Sequence, residues 1–255
     1  SCAGSSSPYI VDYVPSSGVD WTQKGSDIDG EAASDASGHK VSLSSDGSIV
    51  AIAAYGNDGG VWGSNSGHVR VYAWSGSNWV QRGADIDGEA ADDRSGMDVS
   101  LSSDGSIVAI GADKNDGTAS NAGHVRVYVW GGSAWVQRGA DIDGEAAYDT
   151  SGVSVSLSSD GSIVAIGAYL NDGTGTSAGH VRVYAWSGSA WVQRGSDIDG
   201  EAAYDHSGKN VSLSSDGSIL AIGAPYNDGT GTDAGHVRVY AWSGSAWVQR
   251  GADID

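Results

Sequence analysis

The sequence predicts an all-β protein, a β-propeller of four complete four-stranded blades of about 56 residues each, preceded by half a blade. Three observations predict it. Trp21, Trp79, Trp135, Trp191 and Trp247 open copies of one strand at spacings of 58 and then three times 56 residues, a period too long for most solenoids and suited to a blade. Each of the last four follows a strand of the kind His124-Val125-Arg126-Val127-Tyr128-Val129-Trp130 and a Ser/Gly turn, which is a hairpin signature. The longest connection, D-I-D-G-E-A-A-Y-D-T-S-G in one copy, always falls between the fourth strand of one period and the first strand of the next. There a propeller chain has to cross from the outer edge of one blade to the axis of the next.

Taken in order, residues 1–8 are a Ser-rich leader and 9–255 a single repeat domain, with a half-blade at 9–35 and blades at 36–92, 93–148, 149–204 and 205–255. Tyr9-Ile10-Val11-Asp12-Tyr13 and Trp21-Thr22-Gln23-Lys24-Gly25 form a degraded hairpin. An isolated hairpin is marginal in water and its edges invite pairing. Tyr9, Ile10, Val11, Tyr13 and Trp21 are therefore expected to pack on the chain's own ring or on a second copy, giving a homo-oligomer or a filament. Within a blade, Ser154 to Ser158 is the inner strand, its small serines suited to a crowded axis, and a Ser-Ser-Asp-Gly turn leads to Ile163 to Ala168. The third and fourth strands begin at His180 and Trp191, and Trp135 and its equivalents are expected between sheets. Arg70, Arg126, Arg182 and Arg238 alternate with Val, which puts them on an outward face, pairing weakly with Asp and Glu.

Thirty-two acidic against 13 basic residues, a net charge of −19, argue against nucleic-acid and anionic-membrane partners. No apolar run is long enough to insert into a membrane. Cys2 is the only cysteine, so no disulfide forms within the chain. Gly at 40 residues and no Phe beside 10 Trp and 11 Tyr describe many short turns between strands of Val, Ile, Leu, Ala and Trp.

Ser207-Gly208, Val211-Ser212, Asp216-Gly217, Ile219-Leu220-Ala221-Ile222-Gly223-Ala224-Pro225 and Gly235-His236-Val237-Arg238-Val239-Tyr240 together resemble the FG-GAP repeat of integrin alpha-subunit propellers. The resemblance runs over all four periods and implies a propeller with an adhesive role. It departs where the family's aromatic is Ser37, Ser95, Ser151 and Ser207, and only the last copy keeps Gly-Ala-Pro. The family's calcium loop is reduced to one carboxylate per blade, Asp46, Asp104, Asp160 and Asp216, too few for a calcium shell.

Other polar clusters are candidate sites. The D-I-D-G-E motif sets alternating carboxylates before a Gly, making Asp85, Asp87, Glu89, Asp141, Asp143, Glu145, Asp197, Asp199 and Glu201 candidate calcium ligands against the plainer reading of a turn. Asn57, Asn115, Asn171 and Asn227, in N-D-G, are turn formers first. His68, His124, His180 and His236 stand singly at strand starts and read as hydrogen-bonding clamps, since zinc needs three or four converging ligands. No unrepeated acid or base stands out, so no catalytic residue and no cofactor beyond calcium is expected. Loop residues that break the repeat, Tyr148, Tyr169, Tyr204, Tyr226 and Trp62, are candidates for contact with a partner. Asn210-Val211-Ser212 is a glycosylation sequon. The resulting expectation is a non-enzymatic, extracellular or cell-surface structural or adhesive module, binding a protein partner or itself. The alternative is a carbohydrate-binding propeller whose exposed Trp and Tyr stack on glycans.

Overall fold

The computed structural model describes residues 22–58 and 63–255. Four antiparallel sheets repeat along the chain. The first holds β1 (Lys40–Leu43), β2 (Ile49–Ala54), β3 (His68–Trp74), β4 (Trp79–Gln81) and β5 (Ile86–Asp87). The second holds β6 (Asp98–Leu101), β7 (Ile107–Ala112), β8 (His124–Trp130), β9 (Trp135–Gln137) and β10 (Ile142–Asp143). In the third stand β11 (Ser154–Leu157), β12 (Ile163–Ala168), β13 (His180–Trp186), β14 (Trp191–Gln193) and β15 (Ile198–Asp199), and in the fourth β16 (Asn210–Leu213), β17 (Ile219–Ala224), β18 (His236–Trp242) and β19 (Trp247–Gln249). Strands pair in sequence order, and the short strand after each fourth strand returns to the third, so β5 pairs with β3 and β15 with β13. Among the described residues this is the predicted propeller-like repeat, without helix. Tyr9, Ile10, Val11, Tyr13, Trp21 and Trp62, and with them the leader and the half-blade hairpin, lie outside the described residues.

The core lies in three seams, each between one sheet and the next. Val69, Val71, Val99, Leu101, Val108 and Ile110 fill the first, and their equivalents fill the others. The serines of the inner strands act between blades. Ser42, Ser100 and Ser156 Oγ accept the backbone N–H of Leu101, Leu157 and Leu213 at 2.9–3.0 Å, tying successive inner strands side by side where larger side chains would hold them apart.

A second tie runs along the outer edge. Trp79, Trp135, Trp191 and Trp247 are half-buried, pack on Trp74, Trp130, Trp186 and Trp242 with centroids 5.3–5.5 Å apart, and donate Nε1–H to the carbonyl of Lys24, Arg82, Arg138 and Arg194 one repeat earlier at 2.7–2.8 Å. The guanidinium of Arg82, Arg138 and Arg194 lies 4.6–4.8 Å over the first ring of each following pair. Gly139 belongs here by necessity, because φ is +87° and a Cβ would stand 2.8 Å from the Trp186 ring. These tryptophans serve the seams and are not free platforms for a sugar ring.

One expectation fails on the third strands. The arginines beside the valines are buried, 4–6% exposed, instead of facing outward. The link that precedes each blade covers the strand face on which these arginines stand, so alternation gives that face no solvent side. Nη2 of Arg70, Arg126, Arg182 and Arg238 donates to the carbonyl of Asp29, Asp87, Asp143 and Asp199 at 2.6–2.7 Å, and Nη1 stands 3.3–3.7 Å from Glu31, Glu89, Glu145 and Glu201.

Candidate functional site

Two sets of polar residues stand out, one recurring in every blade and one that breaks the repeat. The recurring set begins with D-I-D-G-E. The motif is extended, so its three carboxylates do not wrap round one point; the fold joins acids from successive repeats to the histidine between them. Among the described residues four groups result: Glu31, His68 and Asp85; Glu89, His124 and Asp141; Glu145, His180 and Asp197; Glu201, His236 and Asp253. In each, the three donor atoms lie within 4.8 Å of one another, so each group could hold a metal ion. Asp87, Asp143 and Asp199 stay outside these groups, paired across the strands with the histidines or their equivalents. Burial, and next the neighbouring Asp85 or Asp141, raises the carboxyl pKa of Asp87 and Asp143. The histidines, read as hydrogen-bonding clamps, face carboxylates instead. The N-D-G asparagines are buckles: Nδ2 of Asn57, Asn115, Asn171 and Asn227 donates to buried Asp35, Asp93, Asp149 and Asp205 at 2.9–3.1 Å.

The second set lies where the inner strands begin and the second strands end. Nine of the 13 Lys and Arg recur at fixed places in the repeat; the other four, Lys40, Arg94, Lys114 and Lys209, gather here with both unrepeated histidines, His39 and His206. At their centre is Asp113, 4% exposed, one carboxylate oxygen buried with no hydrogen bond and 3.6 Å from Arg94 Nε. Burial pushes its pKa up, against the pull of Arg94, Lys114 and Lys209. Lys209 Nζ stands 3.7 Å over the Tyr169 ring, and burial lowers its pKa. Tyr169, His206 and Tyr226 stack edge to face with centroids 5.2 and 4.9 Å apart, and Tyr55 lies between His39 at 4.6 Å and the Arg94 guanidinium at 4.9 Å. Burial keeps both histidines below the usual imidazole pKa, helped by Lys40 at His39 and by Lys209 at His206. Asp98, 8% exposed, is a further unrepeated acid nearby; its carboxylate accepts the N–H groups of Val99 and Val155, and Lys40 Nζ lies 3.8 Å away. A cavity of about 480 Å³ lined by Tyr55, Asn65, Asp92, Arg94, Lys114 and Asn121 opens beside Arg94. A larger hollow of about 540 Å³, mostly apolar, is the uncovered face of β16 and β17.

Of the loop residues expected to meet a partner, Tyr169 and Tyr226 belong to this cluster, whereas Tyr148 and Tyr204, each 62% exposed at φ near +68°, project from the links. Asn210 is exposed at the start of β16. The sequence places Asp113, Arg94, Lys209 and His206 in the loops that break the repeat, as contact candidates without a catalytic role. The signal was present: these are the positions at which a blade departs from its own repeat in charge.

No protein-family model matches the sequence and no curated protein matches it, so the FG-GAP resemblance goes no further than the propeller-like repeat. Solved structures do match. A candidate 6-phosphogluconolactonase of Bacteroides uniformis superimposes with TM-score 0.58 at 13% identity, over 85% of this chain and 54% of that one. Hydrazine synthase of Kuenenia stuttgartiensis gives 0.54 at 12%, over 92% and 52%, and a candidate 6-phosphogluconolactonase of Bacteroides fragilis 0.55 at 11%, over 84% and 54%. The likeness is one of fold, and the chain spans about half the length of the structures it matches. It corrects the expectation of a non-enzymatic structural or adhesive module with a lectin alternative. Proteins described as enzymes use this fold, and the unrepeated buried acid whose absence argued against catalysis is present as Asp113.

Proposed function

We propose that the cluster around Asp113 is a binding and proton-transfer site for a small anionic molecule with a stackable ring, such as a phosphorylated or carboxylated sugar. One observation carries this: in a chain of net charge −19, the basic residues that break the repeat converge on one buried carboxylate with an oxygen free of hydrogen bonds. Arg94 and Lys209 offer charge-assisted bonds to phosphate or carboxylate oxygens, the arginine in a fork. Tyr226, 48% exposed, offers a ring to stack on. Asp113, its pKa raised, can hold or release a proton closer to neutral pH than an ordinary carboxylate, which suits general acid–base work.

The lactonase descriptions of two fold neighbours supply a substrate class to try, a sugar lactone bearing phosphate. Calorimetry with 6-phosphogluconate should give saturable binding, weakened about tenfold or more by Arg94→Ala and by Lys209→Ala. Inorganic phosphate should compete. Hydrolysis of the corresponding lactone should fall in Asp113→Asn with affinity for 6-phosphogluconate kept. Failure of phosphate and of sugar acids to bind at millimolar concentration would remove the proposal.

A further inference from the structure

The repeated Glu–His–Asp groups are built as sites, independently of the cluster around Asp113. The histidine side chains are 1–2% exposed, and Nδ1 of His68, His124 and His236 lies 3.7–4.0 Å from one oxygen of each of two carboxylates. That is past hydrogen-bonding distance, and the imidazole makes no other bond on this side. Nε2 of His68 and His236 is buried without a hydrogen-bond partner, and the carboxylates face Nδ1.

Each carboxylate is held so that one oxygen is left over. Gln81, Gln137, Gln193 and Gln249 donate Nε2–H to Oδ1 of Asp85, Asp141, Asp197 and Asp253 at 2.6 Å, and Oδ2 is turned towards the imidazole in three of the four. The arginines of the third strands stand against Oε1 of Glu31, Glu89, Glu145 and Glu201, leaving Oε2 on the histidine side. Outer partners that orient a ligand's second atom are the usual support of a metal centre. The donors lie within 4.8 Å of one another, so to meet an ion at zinc bond lengths of about 2.0–2.2 Å the half-exposed carboxylates must draw in slightly.

We propose that each blade binds one divalent transition-metal ion, zinc being the reference case, between its third-strand histidine and the carboxylates of the two links beside it. One imidazole and two carboxylates suit zinc-like ions, whereas calcium takes six to eight oxygens and finds two oriented ones here. The acids are 29–46% exposed, so water completes the shell on the open side. Ions shared between successive links would also clamp neighbouring blades, because Glu89 precedes β6 and Asp141 follows β9.

Zinc titration of the full chain by calorimetry at fixed ionic strength should saturate at four ions per chain, and zinc should raise the melting temperature where equal ionic strength from sodium does not. His124→Gln should remove one ion. Asp141→Asn, at a half-exposed acid, should weaken one site about tenfold or more and keeps the test open if the histidine variant does not fold. Absence of saturable zinc binding, unchanged stoichiometry in both variants, or equal stabilisation by calcium and zinc would overturn the proposal.

Discussion

The seams between blades and the cluster around Asp113 are made from the same repeat by opposite means. In the seams every blade uses the same residues: Ser42, Ser100 and Ser156 accept the same bond, and Arg82, Arg138 and Arg194 cover the same tryptophan. Around Asp113 the blades diverge. The position just after the second strand is Tyr55, Asp113, Tyr169 and Pro225, and the one two residues before the recurrent Gly is Ala36, Arg94, Thr150 and His206. The backbone there is nonetheless constant, with φ of 55–60° at all four of the latter. Repetition thus carries the fold, and chemistry is written where side chains vary on a fixed backbone.

The sharpest test of the repeated half compares an interior blade with an end blade. Leu157 is 7% exposed in the seam between the second and third sheets, whereas Leu43, its equivalent in the first sheet, is 58% exposed. Leu157→Ala should cost about 2–5 kcal/mol by removing buried methyl groups and leaving a cavity, and Leu43→Ala less than about 1 kcal/mol. Urea unfolding measures both. Equal costs would break the comparison and would mean that the face of β1 is covered in solution.

Period, strand order and inner serines were legible in the sequence because they are local patterns repeated four times. The two candidate sites were not, for different reasons. Glu89, His124 and Asp141 stand far apart in sequence and meet only because each link crosses to the next blade, so a search for ligands inside D-I-D-G-E looked in one strand for what three segments supply. Arg94 and Asp113 flank the first two strands of one blade and Lys209 comes from another, and each alone resembles drift in a loop. The buried arginines were misjudged because the face they occupy is covered by the link before each blade, which alternation within one strand does not report.

A smaller effect, of opposite sign, should come from Asp113. Its folded-state pKa is raised by burial, so between the unfolded value of 3.8 and that higher value the native chain binds the extra proton. Stability contributed by this group therefore falls as pH rises through that window and stays lower above it. At neutral pH Asp113→Asn should stabilise the protein by about 0.5–2 kcal/mol, the range of single stabilising changes at sites kept for activity. Thermal unfolding at neutral pH and again below pH 4 checks this; a variant less stable than the parent at neutral pH would make Asp113 a structural acid and align it with the seams.

The smallest effect belongs to the Ser-Ser-Asp-Gly-Ser turns, where carboxylates are held charged. Asp46 and Asp216 accept hydrogen bonds from Ser44 and Ser48, and from Ser214 and Ser218, which lower their pKa to about 2. At Asp104 and Asp160 burial works the other way, yet bonds from Ser102 and Ser106, and from Ser158 and Ser162, bring the net shift down as well. A depressed folded-state value stabilises fully above the unfolded pKa of 3.8 and is lost as pH falls towards about 2. Both end-blade turns are open to solvent, so each contributes modestly. Asp216→Asn should flatten the stability curve between pH 4 and about 2 while leaving stability near pH 7 reduced, since the amide accepts fewer bonds than the carboxylate. Urea midpoints across that range, set beside those of Asp113→Asn, should bend in opposite directions with pH; parallel curves would show that the repeated and unrepeated carboxylates are not shifted in opposite directions.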